Sequence, residues 1–159
     1  MIKHNREGAV GALLDEYGKA ILELKSVIVD ITTEQLIKIV DNATHDENSG
    51  SIQNVLSHVI SCGYSYANYI RNLKCIQATS EGKIYYPAIQ QYCFALDDMY
   101  NYTCDTFLTI SDDELERFEH IEKLHTAWGQ VYDIEQMMEH AIVHILRHRR
   151  QLQKIIKSI

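Results

Sequence analysis

Proline and glycine are scarce in this chain. Only one proline and seven glycines occur among the 159 residues, and hydrophobic residues make up 46%. Because the turns of an all-β domain are rich in these two residues, their scarcity argues against that class and for long helices. The apolar content excludes a disordered chain. The length suits one domain with a real core.

The sequence also lacks the features of a membrane, secreted or nucleic-acid-binding protein. No apolar run approaches the ~18 residues that a membrane span needs. The stretch MIKHNREGAV has no apolar signal-peptide core. The net charge is -7, with no basic block beyond the short RHRR, whereas binding to a nucleic-acid backbone requires clustered positive charge. The sequence therefore predicts a cytoplasmic protein without membrane or nucleic-acid partners.

Cysteine is sparse and scattered. The four cysteines form no CxxC pair; they are Cys62, Cys75, Cys93 and Cys104. A disulfide framework is atypical of a chain this long with so few cysteines. The pattern predicts reduced thiols within the core.

Apolar residues recur at steps of three and four in long segments, which is the spacing of an amphipathic helix. The pattern predicts helices near residues 6–30, 51–76, 87–110 and 133–157. Thr32 or Thr33 can cap an additional short helix, with Gln35 completing a capping box on Thr32. Ser51 and Asp133 are suitable N-cap residues for two of the long helices. Pro87 fits the first turn of the third long helix.

Two other segments do not show this spacing. The polar stretch DNATHDENSGSIQ predicts a loop, and SDDELERFEHIEKLHTAWGQVY is less regular, typical of a short helix with an extended connection. Four long amphipathic helices in one small domain predict an all-α four-helix bundle that covers residues 1–159.

Three histidines at intervals of four occur in the last predicted helix, in the stretch EHAIVHILRHRRQLQ. His148 falls within the apolar stripe of this helix, and His144 lies about 40° from it, at the border of the stripe. His140 lies about 40° further round and is expected to lean toward solvent. Residues four apart are about 6 Å apart along the axis and can share an ion, whereas residues eight apart are about 12 Å apart. The spacing therefore favours His144 and His148 as a pair of metal ligands.

A third ligand must come from another helix, and His58 is the best candidate because it borders the buried face of the second long helix. A single half-buried histidine is more often a hydrogen-bonded core residue, so that interpretation of His58 also stays open. The remaining histidines are expected at the surface; they are His4, His45, His120 and His125. An HExxH motif is absent, and only one Glu-x-x-His occurs where a di-iron bundle needs two.

Two stretches resemble motifs of the DinB/YfiT-like superfamily of metal-dependent enzymes. GSIQNVLSHVISCGYSYANYI is similar to the family's WS-x-x-E-x-x-x-H helix start, with His58 at the ligand position. HILRHRRQL is similar to the family's H-x-x-x-H-R-G-Q ending, with His144 and His148 as ligands. Position 150 carries Arg where the family has Gly, and no Trp precedes Ser51.

The resemblance implies an up-down-down-up four-helix bundle, often a homodimer, in which His58, His144 and His148 hold a divalent zinc or nickel ion. For some members it implies transfer or isomerisation reactions that use mycothiol, bacillithiol or glutathione. Three imidazoles leave at least one coordination position open, as in a catalytic site. Such a position can lower the pKa of a bound water or hold the thiolate of a low-molecular-weight thiol. Leu146 and Ile156, on the side of the last helix away from its main stripe, also favour a homodimer.

Two functions remain open from the sequence. One is a metal-dependent thiol S-transferase or hydrolase that acts on a small molecule. The other is a non-catalytic metal-binding or structural bundle that acts through protein contacts. Tyr66 and Tyr69 follow His58 on its helix and could line a substrate pocket, although aromatic residues in this spacing are more typical of a core.

Overall fold

The computed structural model describes residues 7–40, 48–79 and 82–159, which are mostly helical. Within these ranges five α-helices occur: α1 (Gly8–Ile28), α2 (Thr33–Ile37), α3 (Ile52–Leu73), α4 (Ile89–Thr106) and α5 (Ile134–Ile156). The four long ones correspond to the four predicted segments, and α2 is the predicted short helix. None of these helices has the combination of length and apolar character that crossing a membrane requires.

The irregular segment between α4 and α5 contains short elements that the sequence did not resolve. Three single 3₁₀ turns span Phe107–Thr109, Asp112–Glu114 and His120–Glu122. They are followed by an antiparallel hairpin of two short strands, β1 (Leu124–His125) and β2 (Val131–Tyr132). The all-α prediction therefore needs a small correction at this hairpin.

Local sequence explains where α3 and α5 begin. Ser51 Oγ accepts a hydrogen bond from the Asn54 N–H at 3.1 Å. Asp133 Oδ1 accepts one from the Gln136 N–H at 2.9 Å. These side chains satisfy backbone N–H groups that have no partner within the helix. The two predicted N-caps thus fix the starts of the helices that carry the candidate histidines.

Two predicted helix boundaries are wrong. Pro87 does not lie in the first turn of the third long helix, because the N-cap is Ala88 and α4 begins at Ile89. Helix α3 ends at Leu73 rather than near residue 76. Cys75 adopts a left-handed backbone conformation with φ 55°, a conformation that commonly ends helices.

The long helices share one hydrophobic core. Helices α1 and α3 each contact both α4 and α5, while α2 packs on α3. The largest fully buried side chains of this core include Tyr17, Tyr92, Phe107, Leu24 and Leu96. Helix α3 approaches α4 closely at Gly63, where an added Cβ would lie 2.1 Å from Met99 Sδ. This close approach positions the stretch of α3 that follows His58.

The segment between α4 and α5 is anchored to three helices. The Asp112 carboxylate accepts hydrogen bonds from the Ala9 and Val10 N–H groups, both at 2.9 Å, at the start of α1. The hairpin is tied to α3, because the Ala127 N–H donates to the Tyr69 hydroxyl at 2.8 Å. Strand β2 also packs against α5, so the hairpin lies beside the candidate histidines.

All four cysteines are free thiols, as the sequence predicts. Three of them are partly buried, namely Cys62, Cys93 and Cys104. Cys75 is exposed, so its predicted core position is wrong. It lies just beyond the end of α3, where the chain leaves the core.

Candidate metal centre

Helices α3 and α5 bring together the three histidines that the sequence analysis selected. His144 Nε2 lies 3.2 Å from His58 Nε2 and 3.2 Å from His148 Nε2. One ring nitrogen of each residue lies within 4.8 Å of the other two. His58 comes from α3 and the other two come from neighbouring turns of α5. The packing of these two helices therefore fixes the cluster.

The separations between the ring nitrogens suit a shared metal ion. A tetrahedral ion held at about 2.0–2.1 Å by each imidazole nitrogen places those nitrogens about 3.3 Å apart. The two observed separations of 3.2 Å are close to this value. Imidazole nitrogen is a preferred ligand for both zinc and nickel. Three histidines in this arrangement could hold a divalent ion.

His148 is oriented by a hydrogen bond on its other ring nitrogen. His148 Nδ1 lies 2.8 Å from Gln151 Oε1, and Gln151 Nε2 donates to Ser49 Oγ at 3.1 Å. Because an amide oxygen can only accept, His148 Nδ1 carries the proton and Nε2 presents its lone pair to the cluster. Bonds of this kind fix the tautomer and orientation of metal-binding histidines. The spacing of three residues on one helix could have indicated the role of Gln151, but no sequence signal points to Ser49.

His144 is held in its neutral form. Burial is the main cause that lowers its pKa from 6.5 to about 3. Electrostatic interactions with neighbouring side chains lower it to a smaller extent; they come from His148, His58, His140 and Arg147. A neutral imidazole can donate a lone pair to a metal, whereas a protonated one cannot. At neutral pH the His144 ring is therefore already neutral and can bind a cation without first releasing a proton.

Cys62 lies one turn after His58 on α3 and touches its ring. Its Sγ atom is 3.6 Å from His58 Nδ1 and 3.7 Å from His58 Nε2. A sulfur nearly equidistant from both nitrogens rests against the ring and does not bond along one lone pair. Burial raises the pKa of the Cys62 thiol, and interactions with Tyr66 and Lys83 offset part of this rise. The thiol is therefore protonated at neutral pH and packs beside the cluster.

The three histidines differ in their exposure. His148 is 8% exposed, while His58 and His144 are both partly exposed. A structural zinc site is closed by a fourth protein ligand. In residues 7–40, 48–79 and 82–159 no Cys, Asp or Glu side chain joins the three histidines. A metal ion held here would therefore have three protein ligands from the described residues.

His140 lies outside the cluster, as its spacing predicts, but it does not lean into solvent. Its ring stacks on Trp128 at 5.7 Å between centroids and contacts the Tyr66 ring edge-on at 5.1 Å. Its Nδ1 atom lies 3.4 Å from the Tyr132 hydroxyl. The ring is only partly exposed because the hairpin covers part of this side of α5. The angular position of a residue on a helix does not reveal what another segment covers.

An aromatic group borders the cluster on the hairpin side. The Tyr66 ring lies edge-on to His144 at 5.5 Å, and Trp128 lies edge-on to Tyr66 at 6.0 Å and to Tyr69 at 5.5 Å. Tyr66 is buried, in keeping with its interpretation as a core residue, whereas Trp128 is 44% exposed. Trp128 is the only tryptophan of the chain, so its fluorescence reports on this side of the site.

The two other histidines in the described part of the chain lie away from the cluster. His120 and His125 are exposed, and their rings contact each other at 4.6 Å between centroids. Neither belongs to the cluster, which matches the surface position that the sequence predicts. His4 and His45 lie outside the described residues.

We expect Gln151→Ala to weaken metal binding by about 10- to 100-fold, because His148 loses the acceptor that orients its ring. Gln151→Glu keeps an acceptor oxygen at this position and should bind metal close to the wild-type level. Competition with a chromophoric chelator measures both affinities. Equal affinities for the wild type and Gln151→Ala would show that this hydrogen bond does not position His148.

Comparison with protein-family models and with curated proteins found no match to this chain. The functional interpretation therefore depends on the residues of the site itself.

Proposed function

We propose that this chain is a divalent-metal-binding protein of the DinB/YfiT-like type, which acts as a metal-dependent thiol S-transferase or hydrolase on a small molecule. The observation that carries the proposal is the convergence of His58, His144 and His148, with ring nitrogens 3.2 Å apart in two of the three pairs. The partial exposure of two of these rings supports a site that is open to a small ligand.

The helix contacts support the four-helix bundle that belongs to this proposal. Helix α1 contacts α4 and α5, and α3 contacts the same two helices. A closed ring of contacts of this kind, around one shared core, is typical of a four-helix bundle. The up-down-down-up order comes from the resemblance of the sequence.

The residues of the site divide into three roles in this proposal. His58, His144 and His148 bind the ion, Gln151 holds the His148 ring, and the Tyr66–Trp128 pair excludes water from one side. A bound zinc or nickel ion would supply the Lewis acidity that activates a thiol or a water near neutral pH.

Elemental analysis of protein purified without an affinity tag tests metal binding. We expect about one equivalent of zinc or nickel per chain, because the chain offers a single cluster of three convergent imidazoles in its described part. Removal of the ion with a chelator should lower the melting temperature, and restoring it should raise the free energy of unfolding by about 4 kcal/mol when the ion is at 1,000 times its Kd. A protein with no bound metal and no stabilisation by zinc or nickel would contradict the proposal.

The metal-loaded protein then distinguishes the enzyme from the non-catalytic alternative. Glutathione, bacillithiol and mycothiol are added one at a time in a thermal-shift assay, followed by assays for thiol transfer and for hydrolysis. A shift that depends on both metal and thiol supports the transferase. A protein that binds metal but shows neither a thiol-dependent shift nor turnover would instead favour a metal-binding or structural bundle that acts through protein contacts.

The resemblance also leads us to propose a homodimer located in the cytoplasm. The free state of the four cysteines is typical of a reducing compartment. Leu146 and Ile156, which the sequence analysis placed at a dimer face, are both partly buried against the core. They therefore supply less free apolar surface than their position in the sequence indicates.

A further inference from the structure

Two exposed cationic side chains lie beside the histidine cluster, on two different segments of the chain. The first is Arg147 on α5, three residues after His144. The helix rise separates these two positions by about 4.5 Å along the axis, and the helical rotation turns Arg147 about 60° from His144. This rotation is directed away from His148 and the core. Arg147 therefore borders the cluster on its solvent side.

The second cation, Lys83, approaches the cluster from the segment between α3 and α4. Its ammonium donates a hydrogen bond to Asn48 Oδ1. The next residue, Ser49, accepts a hydrogen bond from the Gln151 amide, and the oxygen of that amide accepts one from His148. Three hydrogen bonds, joined through the backbone of residues 48 and 49, thus connect Lys83 to a proposed metal ligand.

Both cations act electrostatically on side chains at the cluster. Burial is the main cause of the low pKa of His144, and the charge of Arg147 adds to it. Burial raises the pKa of the Cys62 thiol, and Tyr66 and then Lys83 offset part of this rise. None of the side chains that shift these two pKa values carries a carboxylate. The surroundings that the structure describes are therefore electropositive.

The described residues supply no negative charge to balance this site. Across residues 7–40, 48–79 and 82–159, neither Lys83 nor Arg147 forms an ion pair. No Asp or Glu from the same ranges joins the three histidines. Three neutral imidazoles leave a divalent ion with both of its positive charges, and charges in a partly buried site need a partner of opposite sign. We therefore expect the ligand to supply negative charge.

We propose that the ligand of this site is a small molecule that carries a carboxylate, and that Arg147 and Lys83 bind this group beside the metal ion. The inference rests on the proposed metal-dependent function and names the chemistry of its substrate. The planar guanidinium of Arg147 can donate two parallel hydrogen bonds to a carboxylate, whereas the Lys83 ammonium supplies a compact point charge.

The two sides of the cluster along α5 also give the ligand a direction. Trp128 stacks on His140, one turn before His144, whereas Arg147 follows His144 by almost one turn. A ligand bound at the cluster would therefore direct its carboxylate toward the C-terminal end of α5. Its apolar part would lie toward Trp128, which is 44% exposed.

Two thiols of equal chain length test the role of Arg147. Mercaptopropionate and mercaptopropanol both offer sulfur, a preferred ligand of zinc, but only mercaptopropionate carries a carboxylate. Isothermal titration of the zinc-loaded protein measures both Kd values. We expect Arg147→Gln to raise the Kd of mercaptopropionate about tenfold and to leave that of mercaptopropanol unchanged, since only the carboxylate loses a charged hydrogen-bond donor. Lys83→Gln should act in the same direction by a smaller factor, and Arg147→Lys should restore part of the affinity.

A matched control is Arg150→Gln, which removes an exposed positive charge from the same helix. Arg150 lies about 120° round the helix from His144, so this variant should leave both Kd values unchanged. Metal content should match the wild type in every variant, because none of the substituted residues belongs to the cluster.

The possible failures of this experiment can be told apart. A protein that binds no zinc would overturn this inference together with the proposed function. A zinc-loaded Arg147→Gln variant that binds both thiols like the wild type would overturn this inference alone. Stronger competition with mercaptopropionate by inorganic phosphate than by acetate would overturn the choice of a carboxylate.

Discussion

His148→Ala should abolish stoichiometric metal binding, while His140→Ala should leave the metal content unchanged. His148 supplies one of three convergent ring nitrogens, and two imidazoles hold a divalent ion far less tightly than three. His140 is on the same helix, but its ring centroid lies 6.3 Å from that of His144 and it does not join the cluster. Elemental analysis of both variants, purified without an affinity tag, measures the difference.

The folded state of both variants must be verified by circular dichroism and thermal unfolding. His148 is 8% exposed, so His144→Ala, which alters a more exposed ligand, serves as a second test of the same cluster. His140→Ala should reduce the free energy of unfolding by about 1 kcal/mol, because it removes ring contacts with Trp128 and Tyr66. This loss is larger than that expected for the same substitution at an exposed position. If His140→Ala lost the metal and His148→Ala retained it, the ligand pair on α5 would be His140 with His144.

The helices and the histidine cluster could be predicted because each depends on short-range periodicity. Apolar steps of three and four located the long helices, and the N-caps Ser51 and Asp133 fixed two of their starts. The angular positions on α5 then placed His148 within the apolar stripe and His144 at its border. One histidine on α3 at the border of its buried face, His58, was enough to complete the set.

The surroundings of the cluster could not be predicted, because they come from segments without periodicity. Trp128 is held over His140 by a hairpin whose strands are only two residues long. Ser49 precedes α3 and contacts the site through Gln151. The end of α3 depends on the backbone conformation of Cys75, which the residue type does not indicate.

The metal-free protein should lose stability as the pH falls from 6.5 to 4.5, and His144 should account for much of the loss. Its pKa is about 3 in the folded chain and 6.5 in the absence of burial and neighbouring charges. Below pH 6.5 the unfolded chain therefore binds a proton at this residue that the folded chain does not bind. Since stability rises with pH wherever the unfolded state binds more protons, acidification across this window lowers the free energy of unfolding.

The expected loss from His144 between pH 6.5 and pH 4.5 is about 2 kcal/mol. Urea unfolding of the chelator-treated protein at both ends of this window measures it. The comparison with His144→Asn tests the contribution of this ring, because the variant cannot take up a proton at this position. The window also excludes most of the loss expected from Glu114, because the Lys74 ammonium lowers the pKa of this carboxyl from 4.5 to about 2 and that loss falls mainly below pH 4.5. If the stability of His144→Asn fell as steeply with decreasing pH as that of the wild type, His144 would not be the cause of the loss.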